Sequence, residues 1–480
     1  MGENNVTVKK QVFHTHRSVR VPPRRPEQTR VGVTAVERTE GITFRPPEGM
    51  SRLQLPLEAE RRREKLLYGT HDGASSVRKM RRPGRDLSLK PAPKVVTAPR
   101  DPNTIRRRFV LSQLTEQVKS MDILLFGVVA ALALIGVLSV FSATRSYETN
   151  RFLIIQTGVA VVGLFAAAVM SFLDYRQLLP KARAVLIVNG LLLLITVIFG
   201  EGVTGSTNEN WLDLGVIKVQ PSEFAKVLFI ISFAAHLSLF RKKAGRLLPT
   251  AVLFAHAALV MGLVYLQKDD GTLTVFLMIF AVMCFAGGLP MRYFIAGAAG
   301  VAVLLPFLWK KLDGYQRDRI LVLFDDTVDP NAVGVRMHAA RSMEAIRGGG
   351  IAGSGYRHGS ITQGNLFAKH TDMIFSTICE EWGMIGGLVL IGLYVLLVVC
   401  IVRTALSCKN LFGCLICFGV AAMFSAQIIE NLGMCLGITP VIGITLPFVS
   451  YGGSSALSAY LAIGLVLSIS AHRERTFFGG

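Results

Sequence analysis

Residues 122–143, 152–173, 183–199, 251–267, 273–289 and 383–402 are apolar blocks almost free of charged side chains. Each comes close to or reaches the ~20 residues that an α-helix needs to cross the ~30 Å hydrocarbon core of a bilayer. Inside a bilayer every backbone N–H and C=O must be paired within the protein, and continuous apolar runs of this length select helices over strands. The chain is also 51% hydrophobic and only 18% charged, outside the usual balance of a water-soluble enzyme. The expected fold class is therefore all-α: a polytopic membrane protein.

Shorter apolar segments bring the expected spans to about ten, roughly 122–143, 152–173, 182–200, 221–240, 249–267, 273–289, 292–310, 373–403, 410–430 and 453–471. Before the first span, residues 1–120 carry 26 Lys and Arg against 12 Asp and Glu. Residues 1–118 show no sustained hydrophobic period and read as a basic, disordered cytoplasmic tail. Its clusters Arg61-Arg62-Arg63-Glu64-Lys65 and Arg78-Lys79-Met80-Arg81-Arg82 suit an anionic lipid surface and a solvated face equally. Aromatic residues are scarce there, which argues against nucleic acid.

With that tail inside, the short inner connections hold Arg176, Lys181, Arg183, Arg241, Lys242, Lys243, Arg246, Arg292, Arg403 and Lys409, and the short outer ones far fewer basic residues. This positive-inside bias places both termini in the cytoplasm, including residues 473–480, and puts the long loop 311–371 outside. All seven Cys lie in or beside apolar segments, so they read as core residues and not as a disulfide framework.

The polar residues that escape this pattern gather at the expected outer surface. Asp372 stands where the long loop meets an apolar run, a depth at which an unpaired acid is expensive and usually functional. Glu380 and Glu381 lie ~12 Å deeper on the same helix, by its 1.5 Å rise, and need a wet interior or internal partners. Pro221 and Ser222 suit a helix start, and Glu223 and Lys226 share a face of that helix, so they form either a structural ion pair or part of a site. Asp269 and Asp270 adjoin in a tight turn, and two such acids are a weak signal for a divalent cation, Mg or Mn. The Gly-rich run Arg347 to Tyr356 lacks the Lys-Ser/Thr ending of a nucleotide loop; it reads as a flexible hinge or, with Arg336, Arg341, Arg347 and Arg357, as a pyrophosphate cradle. Between Asn431 and Ser455, Pro and Gly are dense enough to break helices, which suggests irregular backbone forming a cavity wall opposite Asp372.

Gln220-Pro221-Ser222-Glu223 with Lys226, Thr371-Asp372 with Ile374-Phe375, Glu380-Glu381-Trp382-Gly383, and the stretch Leu446 to Ser455 occur in the order of the SEDS family (RodA, FtsW and SpoVE), which residues 121–471 resemble. The resemblance implies a ten-helix peptidoglycan glycosyltransferase of the bacterial cytoplasmic membrane. Such enzymes polymerise lipid II, release undecaprenyl pyrophosphate and work beside a class B penicillin-binding protein in the elongation or division machinery. It implies that Asp372 is the catalytic acid/base, and it brings Trp211, Gln220, Ser222, Glu223, Lys226, Asp269, Thr371, Glu380, Glu381, Asn431, Pro447 and Ser450 forward as binding or supporting residues. Asn431-Leu432-Gly433-Met434 and Pro440-Val441-Ile442-Gly443 favour the RodA branch. The sequence departs from the family pattern at Asn210, where a basic residue is usual, and at Lys268, where the turn before Asp269 loses its Pro. The same cavity and acids also fit a lipid II flippase, and the helices alone fit a non-catalytic cell-shape scaffold.

Overall fold

The computed structural model describes residues 121–202, 209–215, 218–241, 246–312, 314–364 and 366–472. The basic tail and residues 473–480 lie outside these, as do the expectations placed on them.

Among the described residues nine helices are long and apolar enough to span a bilayer: α1 (Ile123–Ala143), α2 (Arg151–Ser171), α3 (Ala182–Phe199), α4 (Pro221–Phe240), α5 (Leu247–Leu266), α7 (Met291–Lys311), α11 (Ile374–Ser407), α12 (Leu411–Cys435) and α13 (Gly453–Ala471). A tenth apolar helix, α6 (Asp270–Ala286), is shorter at 17 residues. The expected ten segments are all helical, and the fold is that of a multi-pass membrane protein. Two helices outrun their expected ends: α11 runs past 403 to Ser407, and α12 continues through Asn431 to Cys435.

Burial sorts the helices. In α4, α12 and α13 the apolar windows are 72%, 78% and 72% buried, so these three form the centre of the bundle, whereas in α7 the window is 0% buried and its residues face outward. Apolar side chains gain nothing by leaving lipid for protein, so helices in a membrane associate through close fit. Gly464 of α13 illustrates this: a Cβ there would sit 2.9 Å from Cβ of Met170 on α2.

Successive helices alternate in direction, so the ends of α1, α3, α5, α7 and α12 and the starts of α2, α4, α6, α11 and α13 share one end of the bundle, the loop end. There the short antiparallel pair β1 (Leu212–Asp213) and β2 (Lys218–Val219) leads into α4. The long loop contributes α8 (Gly314–Leu321), α9 (Met337–Gly349) and α10 (Ser360–Gly364).

The Gly-rich run is neither hinge nor phosphate cradle. Helix α11 breaks at Gly383 (φ 71°, ψ −172°), and the run lies against the break. Ser354 and Gly355 N–H donate to the carbonyls of Glu380 and Glu381 at 2.9 and 3.0 Å, and Met384 N–H returns a bond to Gly350 O at 2.9 Å. The amides of Gly350, Gly353, Ser354 and Gly355 are thus spent on helix carbonyls and are not free for an anion. Glycine is required on both sides, because Gly353 and Gly383 have positive φ and a Cβ on either would run into the facing backbone. Two of the four arginines are also engaged: Arg341 pairs with Glu344 at 2.7 Å, and the Arg357 guanidinium lies 4.4 Å from the Phe141 ring centre.

Candidate functional site

Asp372 is delivered by a tight turn just before α11. Ala368 takes a left-handed conformation (φ 49°), and its carbonyl accepts from Thr371 N–H at 3.0 Å and Met373 N–H at 3.1 Å. The irregular backbone between α12 and α13 closes on this turn. Ser450 Oγ donates to Thr371 O at 2.7 Å, and Tyr451 N–H donates to His370 O at 2.8 Å. The Asn431 side-chain amide donates to Asp372 O at 2.8 Å and to Ile444 O at 2.7 Å. The wall is itself braced, since Leu446 N–H donates to Ser450 Oγ at 2.8 Å and the Tyr394 hydroxyl donates to Pro447 O at 2.7 Å.

The Asp372 backbone is therefore held on several sides while its carboxylate takes no hydrogen bond or ion pair among the described residues. Gly443 (φ 78°) backs it so closely that a Cβ there would sit 3.4 Å from Asp372 Oδ2. The residue as a whole is half-buried, but its carboxyl is packed about by protein without a compensating charge, and desolvation pushes its pKa up to about 6. A fixed acid with an open carboxyl, ionised at neutral pH yet more basic than an ordinary aspartate, suits proton abstraction.

Four neighbouring residues complete the Asp372 cluster: Thr371, Asn431, Pro447 and Ser450 are all within its bonding network. His370 packs its ring against Tyr147, Phe152 and Tyr451, with ring centres 5.6, 5.0 and 5.6 Å away. Burial, aided by the Lys369 cation, lowers its pKa to about 4, so it is neutral at physiological pH. Lys369 itself turns to Ser146 Oγ at 2.6 Å and lies 5.0 Å from the Tyr147 ring centre.

A second cluster sits at the start of α4. Lys226 donates to Glu223 Oε1 at 2.8 Å, and both side chains are almost wholly buried. Ser458 of α13 donates to Glu223 Oε2 at 3.3 Å, while Ser222 Oγ is buried without a hydrogen-bond partner. This pair is linked to the Asp372 cluster through α12, where Glu430 lies within Coulombic reach of Lys226 and the next residue, Asn431, holds Asp372.

The third group is structural. Asp269 caps α6 by accepting from Thr272 N–H at 3.0 Å, and its other oxygen takes the Asn210 amide at 2.6 Å and the Gln220 amide at 3.2 Å. Asp270 turns instead to Gln316 at 2.9 Å. The adjacent acids thus serve separate partners and do not form a cation clamp; no group of three or more His, Cys, Asp or Glu suited to a metal occurs among the described residues. Trp211, just ahead of β1, exchanges backbone hydrogen bonds with Glu201 at 2.8 and 3.2 Å in an isolated bridge.

Glu380 and Glu381 have the internal partners their depth demanded. Glu380 accepts from Ile361 N–H at 2.8 Å, Thr362 N–H at 2.7 Å and Thr362 Oγ1 at 2.6 Å, tying α10 to α11. Glu381 accepts from Ser142 Oγ of α1 at 2.5 Å. Both are anchors of the long loop and stand apart from the Asp372 carboxylate. Glu430 escaped the sequence reading because it lies inside an apolar helix next to the more conspicuous Asn431; its charge in that setting was the available signal.

Comparison with known proteins agrees with this arrangement. The family model for the Cell cycle protein family FtsW/RodA/SpoVE matches residues 120–475. The chain is 30% identical to the peptidoglycan glycosyltransferase RodA of Treponema pallidum (strain Nichols), over 74% of this chain and 99% of that protein. It is 35% identical to the probable peptidoglycan glycosyltransferase FtsW of Thiomicrospira cyclica, over 73% and 92%. Among solved structures it resembles a chain of a peptidoglycan synthase complex that coordinates polymerization and crosslinking, with a TM-score of 0.63 and 31% identity over 74% of this chain and 99% of that one. It also resembles the rod shape determining protein RodA of Thermus thermophilus, with a TM-score of 0.56 and 29% identity over 74% and 98%. With the matched region running from α1 through α13 and holding all three polar clusters, the chain belongs to the FtsW/RodA/SpoVE family.

Proposed function

We propose that this protein is a peptidoglycan glycosyltransferase that polymerises lipid II, with Asp372 as the catalytic base. The observation that carries the reading is the contrast at Asp372: its backbone is pinned by Asn431 and by the Ser450-Tyr451 wall, while its carboxylate is left open and desolvated. A sugar hydroxyl attacks the anomeric carbon that carries a diphosphate. The new C–O bond forms as the bond to the diphosphate breaks, the hydroxyl proton passes to Asp372, and the electron pair leaves with undecaprenyl pyrophosphate. A rigid backbone under the base keeps its oxygen in line with the hydroxyl. Lys226, a buried cation linked to this turn through Glu430 and Asn431 of α12, assists the anionic leaving group.

In this reading the loop end faces out of the cytoplasmic membrane, both termini are cytoplasmic, and a class B penicillin-binding protein crosslinks the strands as they form. The homologous synthase complex supports that pairing. The test is polymerisation of lipid II by purified full-length protein. Asp372→Asn and Asp372→Ala should make no glycan while keeping the wild-type elution profile and a cooperative melt, with the Tm of Asp372→Asn no lower than that of the wild type; full activity in either variant overturns the assignment.

A further inference from the structure

Glu430, on α12, is an acid that neither the mechanism nor the anchoring of the loop accounts for. Its Oε2 is shut off from solvent and has no hydrogen-bond partner among the described residues, while the residue as a whole is half-buried. Its backbone carbonyl accepts from Thr439 Oγ1 at 3.3 Å, which joins this turn of α12 to the irregular wall, where Thr439, Val441 and Ile442 are half-buried and Gly443 is exposed. Native folds rarely strand a carboxylate oxygen in this way unless a ligand or a proton completes it.

Its electrical surroundings are specific. Lys226 acts on Glu430 but already gives a 2.8 Å bond to Glu223. The Lys226–Glu223 pair is neutral, so the net charge of the cluster equals the charge on Glu430. The acids on the other elements packed against α12 are engaged elsewhere, Glu380 with Thr362, Glu381 with Ser142, Asp270 with Gln316 and Glu344 with Arg341; the basic groups on those elements include Arg176, His338, Arg341, Arg347 and Arg403, and it is Lys226 whose charge acts on Glu430. Asp372 meets α12 through its carbonyl, on Asn431.

We infer that Glu430 sets the charge of the Lys226 cluster, so that a diphosphate-bearing substrate binds when Glu430 is protonated and its binding takes up a proton there. An ionised Glu430 gives the cluster a net negative charge facing an anionic ligand. A protonated one leaves the cluster neutral, frees the Lys226 field for the diphosphate and adds an O–H donor. This makes Glu430 a positioning and charge-setting residue and leaves the base role with Asp372. The inference rests on the lipid II reading above.

The experiment is equilibrium binding of lipid II, whose diphosphate diester keeps a constant charge over the range. Full-length Asp372→Asn protein prevents turnover and removes the titration of Asp372. Between about pH 5 and pH 8.5, affinity in the Asp372→Asn background should fall by about tenfold, the effect of one nearby charge at the intermediate dielectric of such a site. Adding Glu430→Gln should hold binding at its acidic-side strength throughout, and Glu430→Ala should be equally independent of pH, since either removes the charge. Matching Tm values guard against misfolding. Unchanged pH dependence in both Glu430 variants overturns the inference and leaves the lipid II reading standing; no lipid II binding at any pH overturns both.

Discussion

Asn431 offers the sharpest test of how the site is held. One side-chain NH2 spans two carbonyls, Asp372 O at 2.8 Å and Ile444 O at 2.7 Å, so it joins the base to the opposing wall. Both neighbours are acceptors, and only an amide nitrogen can satisfy them together. Asn431→Ala orphans Ile444 O in a fully buried position, at about 1–3 kcal/mol, and leaves Asp372 O with the weaker Cys435 Sγ donor at 3.6 Å, for a total of roughly 2–4 kcal/mol. Ser450 and Tyr451 still hold the adjoining carbonyls, so part of that loss is spread through the turn and the remainder loosens Asp372. We expect kcat for lipid II polymerisation to fall on the order of 10- to 100-fold with little change in KM, as for a base displaced by a fraction of an ångström. Asn431→Asp is nearly isosteric yet should be worse at neutral pH, because a carboxylate then faces two carbonyl oxygens. Relative to Asn431→Ala it should recover as the pH falls and its proton returns one donor. The assay is gel-resolved glycan formation under multiple turnover, with Tm measured in parallel. Wild-type kcat in Asn431→Asp at neutral pH would refute the argument that donor geometry here positions the base.

Polymerisation by the wild type should rise with pH to a plateau above about 6, the value to which burial raises the Asp372 carboxyl from 3.8; a profile flat through that window would remove Asp372 as the base. The same shift has a stability consequence. Between its ordinary 3.8 and about 6 the native state binds the proton more tightly than the unfolded chain, so stability falls as pH rises through that window. Asp372→Asn should remove this loss and be the more stable protein at neutral pH by about 2–3 kcal/mol, read as a higher Tm. Lys226→Met leaves Glu223 buried without its cation and should destabilise by about 3–5 kcal/mol, whereas the double variant with Glu223→Leu should regain most of that stability without regaining polymerisation. Gly383→Ala forces a side chain into positive φ against the facing loop backbone and should lower Tm by several degrees, through a cost of about 2 kcal/mol or more.

Much of the bundle was legible in the chain because a bilayer imposes one rule on every span: length and apolarity alone. Asp372 was legible for a related reason, since an acid at the edge of an apolar run has no bland explanation. The Gly-rich run was not. Glycines that permit a hinge, a phosphate cradle or backbone-on-backbone packing are the same glycines, and only the break at Gly383 shows that the third applies. Glu380 and Asp269 likewise announce buried acids, but their donors come from Thr362 on the long loop and from Asn210 ahead of α4, contacts that carry no local signature.

The sequence by itself determined the class of fold, the apolar segments that become helices and the residue types available for proton transfer, because these follow from desolvating a backbone and its charges. The tertiary structure decided which acids are consumed as anchors and which is left open. Glu380, Glu381 and Asp269 are filled by donors from distant segments, while Asp372 has its backbone held and its carboxylate spared. Hydrogen-bond partners 18 to 239 residues apart are chosen by packing, and packing is a property of the assembled bundle.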